Sequence, residues 1–222
     1  GSGLSRYRDC LGSLGAAPCE AAADGRTRLL HAGVSETRPT VTYVEPSRFA
    51  ATVDGVSLEL VSDPGLFSAG RLDDGTGLLA ESVDPADDAR VLDLCCGYGP
   101  IGAAVGRATG ATVTLSDDDA RATQCARRTL AASGVDATVV TADGVEGVRG
   151  QTFDRVLCNP PTHAGGGVLG DLFDGAADVL APDGRLTFVR HRRLDLAGHL
   201  DRFRRVERVV KGPEHVVREA RL

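Results

Sequence analysis

The amino-acid sequence predicts an α/β protein with a seven-stranded, mostly parallel sheet, helices on both faces of that sheet and a short N-terminal β-hairpin extension. Two observations support this fold class. From residue 89 onward, short apolar segments alternate with amphipathic segments, as in strands joined by crossover helices. Hydrophobic residues make up 42% of the chain and charged residues 25%, which is typical of a globular protein.

The first 62 residues are predicted to form the extension. Up to residue 40 the pattern is irregular, and we expect a short helix over 6–14 followed by a turn-rich stretch over 16–25. A strand is predicted over 41–44. A β-hairpin then follows, because Asp54-Gly55 separates two alternating apolar runs.

Residues 63–222 are predicted to form the main domain. Asp73 to Thr76 can cap a helix that runs through Leu79. The predicted strands are 90–94, 112–116, 137–141, 154–158, 185–190, 205–210 and 215–220. The predicted helices are 100–108, 118–132, 168–180 and 194–202.

Composition excludes several classes of protein. No apolar run approaches the roughly 20 residues of a membrane span, and the polar start predicts no signal peptide. The six cysteines form no C-x-x-C pair, so we predict no metal site and a reducing, cytoplasmic environment. The net charge is −6 and Lys211 is the single lysine, a composition for which a high-salt cytoplasm is one hypothesis.

Basic residues nevertheless concentrate near the C-terminal end of the sequence. Two interpretations are open: a solvated surface, or a patch that faces phosphate groups. The residues concerned are Arg190, Arg192, Arg193, Arg202, Arg204, Arg205 and Arg208.

The segment 91–102 joins a buried strand to a helix through small residues. Gly97 and Gly99 allow a bound molecule to approach the backbone, because no Cβ stands in the way. Asp93 ends the strand at the carboxyl edge of the sheet, where open α/β sheets bind ligands. A helix that begins near Pro100 directs its amide groups to the same place. We therefore expect a site for a nucleotide-type cofactor.

The next two strands also end in acidic residues. Asp117 is placed to accept both hydroxyls of a ribose, although Asp117 to Asp119 can equally cap the following helix. Asp143 and Gly144 follow the third strand, where a plain surface turn is the alternative.

The fourth strand ends in Asn159-Pro160-Pro161, followed by Thr162 and His163. Together with the loop D-x-C-C-G-x-G and the two acids, this order resembles class I S-adenosylmethionine (SAM) methyltransferases, which have a Rossmann-like fold. The chain departs from the family at Cys95, where glycine is usual. The resemblance implies that SAM is held by Asp93, Cys95, Gly97, Gly99, Asp117, Asp143, Gly144 and Asn159.

In that family, Asn-Pro-Pro belongs to enzymes that methylate a planar nitrogen. Such a nitrogen is a poor nucleophile because its lone pair is delocalised. The Asn159 side-chain oxygen and the Pro160 carbonyl can accept its two hydrogens, and successive prolines keep this pair of acceptors rigid. The resemblance therefore implies that Asn159, Pro160 and Pro161 are the catalytic residues.

A closer resemblance is to the "methyltransferase small" domain of ribosomal-RNA guanine-N2 methyltransferases. It rests on Phe67-Ser68, on Asp73-Asp74-Gly75-Thr76, on Asn-Pro-Pro with His163 two places on, and on the last predicted strand. It implies a ribosomal RNA or tRNA partner. The residues expected to bind the substrate are Phe67, Thr162 and His163. The family usually has an aromatic residue where this chain has Thr162, so Phe67 or His163 is expected to compensate for the missing stacking. Two-domain members of the family carry a long duplicated N-terminal half, in place of which we expect only the short extension.

Three functions remain open at this point. The first is N-methylation of an exocyclic amine in RNA, with guanine N2 of ribosomal RNA first. The second is methylation of a protein glutamine, which also uses Asn-Pro-Pro. The third is a non-catalytic module that binds RNA or a partner, which Cys95 and Thr162 favour.

Overall fold

The computed structural model describes residues 2–15, 17–25, 27–34 and 46–222, and the chain forms two compact units, Gly1–Glu45 and Pro46–Leu222. The smaller unit contains helix α1 (Ser2–Gly12) and an antiparallel hairpin of β1 (Cys19–Asp24) and β2 (Thr27–His31). The helix was predicted, but the turn-rich stretch was wrong, because most of it is strand β1. The strand predicted over 41–44 lies outside the described residues.

The larger unit begins with the predicted hairpin of β3 (Ser47–Val53) and β4 (Val56–Ser62), paired from Val53–Val56 to Ser47–Ser62. Helix α4 (Ala120–Ser133) holds the hairpin through hydroxyl groups. The Thr129 Oγ1 accepts from the Val61 amide at 3.0 Å, and the Ser133 Oγ accepts from the Glu59 amide at 3.1 Å. The hairpin belongs to the larger unit. The predicted domain boundary after residue 62 stays a prediction.

The remaining strands and helices follow in the predicted order, except that no α-helix lies over 194–202. They are α2 (Asp74–Glu81), β5 (Arg90–Leu94), α3 (Pro100–Ala108), β6 (Thr112–Asp117), α4 (Ala120–Ser133), β7 (Thr138–Thr141), β8 (Phe153–Cys158), α5 (Gly166–Asp178), β9 (Leu180–His191), β10 (Arg205–Lys211) and β11 (His215–Arg221). Single turns of 3₁₀ helix lie at Glu146–Val148 and Ala197–His199.

Within the described residues, seven strands form one sheet in the order β10-β11-β9-β8-β5-β6-β7. The strands from β9 to β7 pair in parallel, and β11 runs antiparallel to both of its neighbours. The chain therefore has the Rossmann-like, mostly parallel sheet that was predicted. Parallel pairing brings the carboxyl ends of β5, β6, β7, β8 and β9 to one edge, where the predicted site residues lie.

Both faces of the sheet are covered. Neighbouring residues of β5 point to opposite faces, so that Val91 packs with α2, α3, α4 and the hairpin, while Leu92 packs with α5. On the α5 side the Phe173 and Phe188 rings meet edge to face, with centroids 5.2 Å apart. No helix within the described residues is long and apolar enough to cross a membrane.

The helix predicted over 194–202 is wrong, since only Ala197–His199 forms a single 3₁₀ turn. Leu196, Leu200 and Phe203 have helical spacing and are buried. The backbone follows another path because the Asp195 carboxylate accepts from the Ala197 amide at 3.0 Å, which is a local turn that competes with helix formation.

Candidate functional site

The Asp93 side chain is buried beneath the loop between β5 and α3 and holds the end of that loop in place. This side chain is fully buried, and its Oδ2 accepts from the Gly102 amide at 2.8 Å. Its Oδ1 has no hydrogen-bond partner among the residues that the structure describes. Burial raises the pKa of Asp93 from 3.8 to about 7; the Gly102 hydrogen bond opposes this rise and the Asp117 charge adds to it. Asp93 thus ties the first turn of α3 to the sheet.

The loop itself turns through three left-handed residues, Cys95 (φ 60°), Gly97 (φ 56°) and Gly99 (φ 83°). A Cβ at Gly99 would lie 3.1 Å from Leu115 and from Ala126, so glycine is required there by both conformation and space. A Cβ at Gly97 would meet nothing within 4 Å, which leaves its backbone open to a ligand. Cys95 carries the strain expected from its departure from the family, about 1–2 kcal/mol.

Cys95 also contacts a second thiol. The Cys158 side chain hydrogen-bonds with Cys95, and this contact together with burial raises the pKa of Cys158 well above its usual range. A neutral thiol is neither a nucleophile nor a metal ligand. The buried Cys158 therefore acts as a small packing group beneath the loop.

Asp117, the last residue of β6, links two loops at the edge of the sheet. Its Oδ2 accepts from the Gly97 amide at 2.8 Å and its Oδ1 from the Asp119 amide at 3.0 Å. Burial raises the pKa of Asp117, and the two amide hydrogen bonds oppose that rise. The cap of α4 is Asp119, whose Oδ1 accepts from the Arg121 amide at 2.7 Å. Asp117 therefore keeps spare lone pairs for a ligand.

A cavity of about 440 Å³ opens at this edge, between the strand ends and helix α5. This volume is in the usual range for small-molecule sites. The predicted site residues that line it are Cys95, Asp117, Asp143, Gly144 and Pro161. Asp93, Gly97, Gly99, Asn159 and Pro160 lie outside its lining. Cofactor contacts stay a prediction for every predicted cofactor residue, and the catalytic role of Pro160 stays a prediction as well.

Asn159 is held by a hydrogen-bond chain from helix α2. Its Nδ2 donates to the Thr76 Oγ1 at 2.8 Å, and the Thr76 hydroxyl donates to the Asp73 Oδ2 at 3.1 Å. The same Asp73 oxygen accepts from the Thr76 amide at 2.9 Å and caps the helix. The Thr76 hydroxyl has one hydrogen and donates it to Asp73. Towards Asn159 it can therefore only accept a hydrogen bond. The Asn159 oxygen is therefore turned away from Thr76 and receives no hydrogen bond from the described part of the chain.

The three predicted substrate residues lie on turns. Thr162 and His163 follow the prolines in a turn that is closed by the Ala164 amide on the Pro161 carbonyl at 3.0 Å. Phe67 lies on the turn between β4 and α2 with 63% of its surface exposed. None of the three lines the 440 Å³ cavity, and their contact with a substrate stays a prediction.

Thr76 and Asp73 are functional residues whose role the sequence could not show. Their pattern predicts a helix cap, and they do cap α2. The contact with Asn159 joins positions 83 residues apart, and no local pattern reveals such a pairing. An ion pair of Glu146 with Arg149, at 2.5 Å and on the wall of the cavity, was also missed.

With this geometry established, comparison with known proteins gives a family. The model of the methyltransferase small domain matches residues 57–219. The chain belongs to the methyltransferase small domain family. The predicted resemblance is thereby confirmed, and the matched range covers hairpin strand β4 and nearly all of the sheet.

Curated relatives of this methyltransferase small domain chain carry the name ribosomal RNA small subunit methyltransferase C. The protein from Pseudomonas entomophila is 42% identical over 131 residues, 59% of this chain and 39% of its own length. The protein from Pseudomonas aeruginosa is 40% identical over 149 residues, 64% of this chain and 44% of its own length. The chain thus matches about two fifths of the length of these relatives.

A solved structure is also similar over nearly the whole chain. The Thermus thermophilus 16S rRNA N2 G1207 methyltransferase, in complex with AdoMet and guanosine, superposes with a TM-score of 0.82 at 26% identity. The similarity covers 99% of this chain and 62% of that one.

Proposed function

We propose that this protein transfers a methyl group from SAM to an exocyclic amine of a nucleobase in RNA, with guanine N2 of ribosomal RNA as the first candidate. The observation that carries the proposal is the Asn159 side chain, which Thr76 and Asp73 hold with its oxygen unpaired. It stands two residues from Pro161, which lines the cavity at the edge of the sheet. The names of the relatives and of the similar structure support the choice of ribosomal RNA.

The residues of the site fit SAM. The cavity is large enough, and Asp117 has lone pairs to spare for ribose hydroxyls. Asp143, on the same wall, is exposed and suits an amino group such as that of adenine. Acidic side chains outnumber basic ones on the wall of the cavity, which therefore favours a cationic ligand. SAM carries a positive sulfonium and supplies an electrophilic methyl group when bound.

The chain's own residues then prepare the target nitrogen. The Asn159 oxygen and the Pro160 carbonyl accept its two hydrogens, which draws the lone pair out of conjugation with the base. Thr76 keeps the Asn159 amide from turning over, and the prolines keep the two acceptors rigid, so no rearrangement is needed during transfer. The nitrogen becomes acidic as the methyl group arrives, and water can take its proton, so no general base is required.

The base must leave its stack to reach Asn159, because an exocyclic amine inside a duplex is out of reach. In place of the usual aromatic residue the chain has Thr162. We propose that the exposed ring of Phe67, or His163 in the turn after the prolines, supplies the stacking surface. A ribosomal RNA substrate also agrees with the cytoplasmic location expected from the cysteines.

The test uses the Asn159→Ala variant and tritiated SAM with small ribosomal subunits, total RNA and total protein. We expect methyl transfer to RNA to fall by at least about 100-fold, the loss typical of one preorganised acceptor, while SAM affinity measured by calorimetry stays unchanged. Thr76→Val should lose part of the activity and Thr76→Ser should keep it, because serine retains the hydroxyl. Wild-type turnover in Asn159→Ala would refute the assignment.

The same experiment separates the alternatives. Label in total protein but not in RNA would favour glutamine as the acceptor. Absence of SAM binding in calorimetry would favour the non-catalytic module, for which the strained Cys95 is the supporting observation.

A further inference from the structure

A second cavity, of about 480 Å³, lies on the three strands at the end of the sheet. It is distinct from the proposed SAM site and shares no lining residue with it. Six of its seven lining residues are cationic, in a chain whose net charge is −6. We call it the cationic cavity, and it is lined by Arg190, Arg192, Arg193, Arg208, Lys211, Val216 and Arg218.

Strand register explains why these charges share one face. Val216 of β11 pairs with Arg190 of β9 on one side and with Lys211 of β10 on the other. Two residues along β11, and therefore on the same face, Arg218 pairs with Arg208. A bulge in β10 between Arg208 and Val210 shifts the register, which brings Lys211 to the face of Arg208.

The charges of the cationic cavity are not neutralised within the described residues. None of its six cationic side chains forms an ion pair there. Neighbouring arginines behave differently, since Arg202 pairs with Asp178 at 2.5 Å and Arg205 with Glu207 at 2.6 Å. The structure thus distinguishes Arg202 and Arg205, whose charges are neutralised, from a cavity whose charges are unpaired.

Two contacts in the cationic cavity are unfavourable unless an anion is present. Arg208 and Arg218 lie directly opposite each other on neighbouring strands, an arrangement in which like charges repel. The Nε of Arg218 is also buried and has no hydrogen-bond partner in the described chain, although its Nη2 donates to the Val206 carbonyl at 3.2 Å. An anion with several oxygens would reduce the repulsion between Arg208 and Arg218 and would offer hydrogen-bond acceptors to their guanidinium groups, which bind such oxygens in pairs.

The cavity lies at the same edge of the sheet as Asn159. Strand β9 runs parallel to β8, and Cys158, the residue before Asn159, pairs with Phe188, two residues before Arg190. Strands β9, β11 and β10 follow β8 in order, so the cavity extends about 5 to 15 Å sideways from the strand that carries Asn159. Arg190 shapes its rim, since its Nη1 donates to the carbonyl oxygens of His191, Arg192 and Leu194.

We propose that the cationic cavity binds backbone phosphates of the RNA that flank the nucleotide presented to Asn159. The inference rests on the proposed function for its choice of RNA. Phosphate contacts set the register and orientation of a nucleic acid without reading its sequence. Unpaired arginines beside the Asn159 edge therefore position the strand while the Asn159 side chain selects the amine.

The test measures binding of a fluorescein-labelled single-stranded RNA by the full chain as a function of salt. The cavity variant is Arg192→Gln/Arg193→Gln/Arg208→Gln, whose exposed guanidinium groups make no hydrogen bond in the described structure. The control is Arg202→Gln/Arg204→Gln/Arg205→Gln, which removes the same charge outside the cavity. Each lost phosphate contact lowers the magnitude of the slope of log K against log salt by about 0.7. The cavity variant lacks three arginines, so the magnitude of its slope should be smaller than that of the wild type by about 2. The control should lose less than half of that.

Equal losses in the two variants, or no loss in the cavity variant, would overturn the proposal. Vesicles of phosphatidylglycerol serve as a second probe: vesicle binding that depends on the cavity, with RNA binding unchanged, would also overturn it in favour of a membrane surface. The binding assay does not depend on methyl transfer. If the protein fails to methylate RNA but the cavity variant still shows the lower salt dependence of RNA binding, the phosphate site is supported and the proposed function is rejected. If both hold, the cavity variant raises KM for RNA and leaves kcat and SAM affinity unchanged.

Discussion

The buried carboxyl group of Asp93 makes the stability of this protein depend on pH in a way that one substitution should remove. In Asp93→Asn the side-chain oxygen can still accept from the Gly102 amide, while the ionisable group is gone. The new amide hydrogens take the place of Oδ1, which has no partner within the described residues, so the variant is expected to be less stable than the wild type at low pH.

The sign follows from the raised pKa. Between pH 4 and pH 7 the folded Asp93 holds a proton that the unfolded chain has released, so its contribution to stability is fully present below about 3.8 and is lost as the pH rises to about 7. A pKa change from 3.8 to about 7 corresponds to roughly 4 kcal/mol at most. Between pH 5 and pH 8 the wild type should lose roughly 2–3 kcal/mol through this group, and Asp93→Asn should not.

Urea unfolding of both proteins at pH 5 and pH 8 measures this difference. The wild type should lose its advantage over Asp93→Asn as the pH rises. Asp143→Asn is the control, because that carboxylate is exposed and its replacement should change the free energy of unfolding little at either pH. Parallel curves for wild type and Asp93→Asn would refute the argument that Asp93 is uncharged when buried.

Two further predictions concern the loop and the hairpin. Cys95→Gly should be more stable than Cys95→Ala by about 1–2 kcal/mol, because alanine keeps the left-handed strain that glycine does not feel; equal melting temperatures would contradict this. Thr129→Val should cost about 1–3 kcal/mol in urea unfolding, because it leaves the buried Val61 amide without its acceptor, whereas Thr129→Ser should cost much less; equal costs would show that the hydroxyl is not what holds the hairpin.

Much of the fold was predictable because each strand and helix of the main domain carries its own local pattern. Alternation identified the parallel sheet, Asp54-Gly55 identified the hairpin, and parallel pairing implied that the acids at the strand ends meet. The helix predicted over 194–202 failed for a local reason, because the Asp195 carboxylate accepts from the Ala197 amide and turns the backbone there. Leu196 and Leu200 have helical spacing, but they cover the sheet from an irregular segment.

The candidate site divides in the same way. Strand order predicted that the acids at the strand ends meet at one edge of the sheet, and Asp117, Asp143 and Pro161 line the same cavity there. Their roles in binding and catalysis stay predictions. The orientation of Asn159 could not be predicted, since it depends on a hydroxyl 83 residues away. Nor could composition divide the C-terminal arginines into paired and unpaired ones, because the bulge and the register of β10 decide which charges face each other.

Asp93 and Asp117 show how the same sequence feature leads to two different roles. Both are acids at the end of a parallel strand, and the sequence assigns both to the cofactor. The register pairs Asp93 with Leu115, two residues before Asp117, so Asp93 lies about 6.6 Å deeper beneath the edge. At that depth the Asp93 carboxyl group accepts from the amide of Gly102 and is shielded from solvent, whereas Asp117 reaches the cavity wall. Substitution of Asp93 should therefore change stability and its pH dependence, while substitution of Asp117 should change the affinity for SAM.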